Sequence, residues 1–221
     1  MRRDTGAVGT TVNILLRIDA QPIHMNERVV LLRGVNVGGH KVFRPAALAE
    51  QLKHLDVVNI GAAGTFVVRK SMSRVVLQAE FERLLPFDAQ IIVSQGHHFV
   101  ELISRNPFTD VPVRPDTVRF VSVLSGRPRS EPSLPMSMPS TGRWLLRILA
   151  REGRFAFGVY RRHMKAISFL GTLDRLFGVP VTTRNWNTIN EIARVVATKP
   201  VASAERYAKN GATHPRRRNT Q

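Results

Sequence analysis

Val57-Val58-Asn59-Ile60-Gly61-Ala62-Ala63-Gly64-Thr65-Phe66-Val67-Val68-Arg69 is the stretch on which the fold turns. Two short runs rich in β-branched and apolar residues, 57–60 and 66–69, flank four small residues, and a glycine at each end of that turn lets the chain reverse. It therefore reads as two strands of a hairpin. Upstream, Val29-Val30-Leu31-Leu32 is a continuous apolar run of the kind a buried strand shows. Between the two lies a helix: Pro45 suits a first helical position, and Leu48, Leu52 and Leu55 recur at i, i+4 and i+7. Downstream, Ser73 is placed to cap a helix whose face is Leu77, Phe81, Leu84 and Leu85. Residues 89–94 read as a fourth strand, and 97–105 as a short helix stopped by Asn106-Pro107. The order β-α-β-β-α-β predicts an α+β chain whose first half, 25–113, is a split βαβ, or ferredoxin-like, unit.

The second half, 114–197, predicts a smaller α+β unit packed with the first or linked to it. Residues 117–124 read as a strand. Residues 125–142 hold four prolines and five serines, which predicts a structureless insertion or hinge. Residues 144–150 and 155–160 read as a hairpin, and 166–177 as one helix closed by Gly178 and Pro180. A last helix carries Ile189, Ile192, Ala193 and Val196 on one face, and Thr188 with Glu191 matches the S/T-x-x-E capping box.

Composition bounds the chemistry. The 221 residues hold 43% apolar side chains, enough for a real core, and no cysteine, which excludes disulfides, thiolate nucleophiles and cysteine-bound metal clusters. No apolar run approaches the roughly 18 residues that span a bilayer, so the expectation is a cytoplasmic protein without membrane contact. The net charge of +17 is uneven. Residues 1–24 carry +1, residues 25–113 carry +2, residues 114–197 carry +9 and residues 198–221 carry +5. A positive field concentrates polyanions, so nucleic acid is one expected partner of the second half and tail. A bias toward Arg, 27 of the 33 basic residues, also arises from composition alone. The ends, 1–24 and 198–221, read as a disordered extension and a disordered basic tail that includes Arg216-Arg217-Arg218. Met25, just before the first strand, is the expected start of translation.

Two polar segments exceed what plain turns need. Gly34-Val35-Asn36-Val37-Gly38-Gly39-His40-Lys41 follows a strand and precedes a helix, where glycines let backbone N–H groups converge on a phosphate or carboxylate. It is neither a Walker A loop nor a G-x-G-x-x-G fingerprint. Arg33, Asn36, Gly38, Gly39 and Lys41 are its candidate ligand contacts, while the same glycines also serve a simple turn. Val181-Thr182-Thr183-Arg184-Asn185-Trp186-Asn187-Thr188 sits at the entrance of the last helix, whose N-terminus favours anions. Arg184, Asn185 and Asn187 are the candidates there, and a capping network is the alternative reading. Lys165, after Arg161, Arg162 and His163, is either an anion contact or a solvated charge.

Other constellations carry less. Residues 154–160 match the aromatic positions of an RNP1 strand at Phe155, Phe157 and Tyr160 but put Gly158 where Val belongs, and the alternation also suits a core strand. His97 and His98 are adjacent and diverge by about 100° on a helix, so they do not chelate one metal. No nucleophile elbow and no paired acids are present, and no metal site is expected. Whether the chain is an enzyme stays open, as does the identity of any cofactor.

Residues 31–39, 59–66 and above all 182–188 resemble the bacterial domain-of-unknown-function family 1697, over about residues 27–197. The resemblance implies a cytoplasmic α+β protein with ferredoxin-like parts; no activity, substrate or cofactor comes with it. The chain departs from the family at Ala63-Gly64-Thr65, where many members read Ser-Gly-Asn. It departs again at Met164-Lys165-Ala166-Ile167, where many read Ser-Lys-Leu-Thr and only the lysine is kept. The expectation is an anion-binding protein in which the glycine loop and the helix entrance line one cleft. The alternative is a nucleic-acid-binding module that uses the basic second half and tail.

Overall fold

The structure, a computed structural model, describes residues 26–35 and 43–198. The expected extension, the basic tail from residue 199, and the candidates Asn36, Gly38, Gly39 and Lys41 lie outside the described residues.

Two antiparallel sheets and six helices make up the described chain, which is therefore α+β. The first sheet joins β1 (Arg28–Arg33), β2 (Val57–Asn59), β3 (Thr65–Val68) and β4 (Gln90–Gln95) in the order β2-β3-β1-β4. Helix α1 (Pro45–Gln51) follows β1, a 3₁₀ turn at Lys53–Leu55 leads into β2, and α2 (Arg74–Leu84) connects β3 to β4. The second sheet runs β6-β7-β8-β5-β9, from β5 (Thr117–Leu124), β6 (Met136–Met138), β7 (Leu146–Glu152), β8 (Phe155–Arg161) and β9 (Val181–Asn185). Helices α3 (His97–Arg105), α4 (Met164–Leu170), α5 (Leu173–Phe177) and α6 (Trp186–Ala197) complete it. Among the described residues no helix is long and apolar enough to cross a membrane.

Strand alternation explains why the apolar runs are continuous. Side chains of successive strand residues face opposite sides. Val30 and Leu32 pack with Leu48, Leu52, Leu77 and Phe81 of α1 and α2, while Val29 and Leu31 pack inward with Phe99 of α3 and Ile189 and Ile192 of α6. The same inner core takes Val121, Val123, Phe155 and Phe157 from the second sheet, so the two halves are packed together through it. Phe120, Leu124 and Ala156 face the other way, against Leu173 and Phe177 of α5. Each fully buried side chain of this kind contributes about 1.5–3 kcal/mol.

Three expectations need correction. Residues 125–142 are not without structure: Met136–Met138 forms β6, an edge strand paired with β7, because backbone groups laid beside an open edge find their partners there. The single helix over 166–177 is two, α4 and α5, separated at Gly171 and Thr172. The capping box is absent: the Asn185 side chain accepts from Thr188 N at 2.8 Å, so α6 begins earlier, and Glu191 pairs with Arg194 instead. Of the two readings of residues 154–160 the structure has the core strand, since residues 155–159 of β8 are buried. Gly158 stands there because a Cβ would lie 2.1 Å from the Arg147 carbonyl oxygen of β7.

Candidate functional site

Strand pairing in the second sheet gathers three sequence-distant segments at one end. Thr117 lies opposite Arg161, Val118 opposite Tyr160, and Phe120 opposite Asn185. The segment leading into β5, the end of β8 and the start of α6 thus converge on one cleft of about 650 Å³. Its walls are Pro112, Val113, Arg114, Pro115, Thr117, Val118 and Arg119 on one side, and Tyr160, Arg162, Asn185, Trp186 and Asn187 on the other.

Each wall is held by identifiable bonds. Thr117 folds the entering segment back, its N–H and hydroxyl donating to the Arg114 carbonyl at 3.2 and 3.3 Å. Arg162 Nε donates to the Pro115 carbonyl at 3.1 Å, and Arg119 Nη2 donates to the Val111 carbonyl. Trp186 is fixed edge-on against Phe108, with ring centroids 4.9 Å apart. Asn185 satisfies the N–H of Thr188, and the first residues of α6, Trp186 and Asn187, line the cleft, which brings the positive end of the helix dipole to its wall. Burial pushes the Tyr160 phenol up, with Arg162 pulling it back down, so it stays a neutral donor at physiological pH.

The electrostatics are one-sided. Arg114, Arg119 and Arg162 line the cleft, no carboxylate lines it, and none of the three has a carboxylate partner among the described residues. Guanidinium groups beside a helix N-terminus bind carboxylate or phosphate well, because their paired N–H donors match the oxyanion geometry.

The residues expected from sequence fare differently. Asn185 and Asn187 line this cleft. Arg184, their neighbour, is 7% exposed and gives all five of its N–H donors to the protein. Nε donates to Thr65 Oγ1 at 2.7 Å, Nη1 to Thr182 Oγ1 and the Thr183 carbonyl at 2.8 Å, and Nη2 to the Leu32 and Ala63 carbonyls at 2.8 Å. Burial pulls this guanidinium down to about 10, still charged at neutral pH, and no donor is left for a ligand. Arg33 is likewise engaged, donating to the Val181 carbonyl at 3.0 Å and Gln90 Oε1 at 2.9 Å and pairing with Asp174. The end of β1 and the start of β9 meet through these structural bonds; residues 36–41 of the glycine loop, expected to share a cleft with the helix entrance, lie outside the described residues. Lys165 stands exposed on the first turn of α4, where its N–H donates to His163 Nδ1, and it does not line the cleft.

Sequence reasoning missed Arg114 and Arg119 and read Tyr160 only as part of an RNP1-like strand. No local motif marks the two arginines; the one available signal was the +9 carried by residues 114–197.

The family model described as Protein of unknown function (DUF1697) matches residues 25–143, which takes in the first sheet and the 112–119 wall of the cleft. A solved structure of a conserved bacterial protein from Streptococcus pneumoniae is similar at a TM-score of 0.47 and 16% identity, over 77% of this chain and 98% of that one. No curated protein matches the chain.

Proposed function

We propose, for a chain that belongs to the DUF1697 family and takes no activity from it, that this protein binds a small anionic ligand bearing phosphate or carboxylate in the cleft at the N-terminus of α6. The observation that carries the reading is a cleft lined by Arg114, Arg119 and Arg162 with no carboxylate among the described residues that line it. Three unneutralised guanidiniums held near one another repel, and a bound anion relieves that repulsion. Trp186 and Tyr160 give the same cleft an apolar wall of the kind that closes around an organic ligand. Asn185 and Asn187 remain in the proposed site, whereas Arg33, Arg184 and Lys165 do not.

The same reading treats the first half as a ferredoxin-like unit, supported by the strand order β2-β3-β1-β4, with the second unit beginning near residue 114. The cytoplasmic location expected from composition belongs to this proposal too. An enzymatic role stays open, since the cleft offers anion donors and a neutral phenol rather than a general base.

Calorimetric titration with inorganic phosphate tests the reading. One saturable site is expected, weakened at least tenfold by Arg114→Ala; Arg114 has no side-chain bond within the described protein to lose. Absence of saturable heat at low salt contradicts it.

A further inference from the structure

A second hollow of about 270 Å³ lies across the 112–117 segment from the cleft, and Pro112, Arg114 and Thr117 line both. We infer that the two are connected subsites bridged by Arg114, and that the ligand carries at least two phosphate groups in succession. This rests on the anion-site reading above and extends it to the class of ligand.

The second hollow is built around Trp144. The guanidinium carbons of Arg147 and Arg161 lie over its indole, 4.9 and 4.4 Å from the ring centroid. Both arginines are held: Arg147 Nε donates to Ser137 Oγ at 3.1 Å, and Arg161 Nε donates to the Trp144 carbonyl at 3.1 Å while its Nη1 pairs with Asp116. Such cations keep their position whether or not a ligand is present, so little ordering is lost on binding. Asp110 is the carboxylate that lines this hollow.

Charge sets the size of the ligand's own charge. Among the described residues five arginines line the two hollows, and Asp110 and Asp116 are the carboxylates that line them or pair with these arginines, leaving +3. A single phosphate fills one hollow and leaves the other cationic. Two linked phosphates fill both, and the second then binds at the high effective concentration its tether imposes. Arg114, with no carboxylate partner among the described residues, serves either group. A run of phosphates occurs both in free polyphosphate and in a phosphodiester strand, and the two share this chemistry.

The chain's two tryptophans sit one in each hollow, which supplies the test. Trp144→Phe leaves Trp186 to report the first hollow, and Trp186→Phe leaves Trp144 to report the second. Inorganic tripolyphosphate is expected to change the emission of both variants with one midpoint, at one ligand per chain and at least tenfold below the phosphate midpoint. Arg147 does not line the first hollow, so Arg147→Ala is expected to remove that tenfold gain while leaving phosphate affinity there unchanged, and it covers the case in which Trp186→Phe folds poorly. Displacement of tripolyphosphate by a single-stranded thymidine oligonucleotide at lower concentration assigns the run of phosphates to a phosphodiester; failure to displace assigns it to free polyphosphate. If Trp186 responds to phosphate while Trp144 responds to neither ligand, or if tripolyphosphate binds no tighter, the two-subsite inference falls and the single anion site stands. If neither indole responds, both fall.

Discussion

Arg184 Nε donates to Thr65 Oγ1 at 2.7 Å, and through that bond the second sheet is fastened to the hairpin of the first. Nη2 of the same guanidinium reaches the end of β1 at the Leu32 carbonyl and the hairpin turn at the Ala63 carbonyl. The arginine that looks most like an anion contact in the sequence thus ties the second sheet to β1 and its hairpin. A buried charge with no carboxylate beside it is tolerated here because every donor has an acceptor.

Removing that charge strands several acceptors at once. Arg184→Met is expected to destabilise the protein by about 3 kcal/mol or more, since each buried acceptor left without a donor costs about 1–3 kcal/mol. Arg184→Lys recovers only part of the loss, because three donors on one nitrogen do not span the same acceptors. Urea unfolding at pH 7 measures both; a loss below about 1 kcal/mol for the Met variant contradicts the account.

Two glycines in one turn separate backbone strain from crowding. Gly61 and Gly64 both have positive φ, 66° and 65°. A Cβ on Gly61 meets nothing within 4 Å, whereas one on Gly64 meets the Val35 side chain at 2.8 Å and Leu32 Cβ at 2.9 Å. Gly61→Ala is expected to cost about 1–2 kcal/mol for the left-handed conformation alone. Gly64→Ala adds overpacking of about 1–3 kcal/mol. Equal midpoints for the two variants in thermal unfolding would show that the packing around Gly64 is looser than described.

Glu27 makes stability depend on pH. Its carboxyl is buried, one oxygen has no hydrogen-bond partner, and burial pushes its pKa from 4.5 up to about 7, with Arg69 opposing and Asp56 adding to the rise. Below pH 4.5 the group is protonated folded or unfolded, and its contribution is fully present. Between 4.5 and 7 the unfolded chain releases the proton that the folded chain keeps, so stability falls with rising pH, by about 3 kcal/mol at most, and levels off above 7. Glu27→Gln is expected to match the wild type at pH 4.5 and to exceed it at pH 8. Parallel stability curves for the two proteins across that range would refute this.

The start of α6 supplies a fourth test. Asn185→Ala removes the side chain that accepts from Thr188 N and is expected to cost about 1 kcal/mol. Glu191→Ala, which loses only an exposed i,i+3 pair with Arg194, is expected to cost less than about 0.5 kcal/mol. The reverse order would restore the capping box read from Thr188 and Glu191.

The elements of the first half were legible because each carries its own periodic signal, as the leucines of α1 and the paired runs of the hairpin do. The division at Gly171 was not, since Leu170 and Leu173 continue one apolar stripe across it. Arg184 was found and misassigned: its acceptors Thr65, Leu32 and Ala63 lie more than a hundred positions away, which no local pattern records. The cleft itself depended on β5 pairing with both β8 and β9, and that long-range register places Arg119 near Trp186 only once the sheet exists.

The central claim, that the anion is held at the start of α6, is tested most directly by the indole N–H resonances of the wild-type protein during titration with inorganic phosphate. The account predicts a saturable shift of the Trp186 resonance that is lost in Arg114→Ala. A stationary Trp186 resonance, with shifts confined to the backbone amides of residues 34–41, would contradict it and move the anion to the glycine loop.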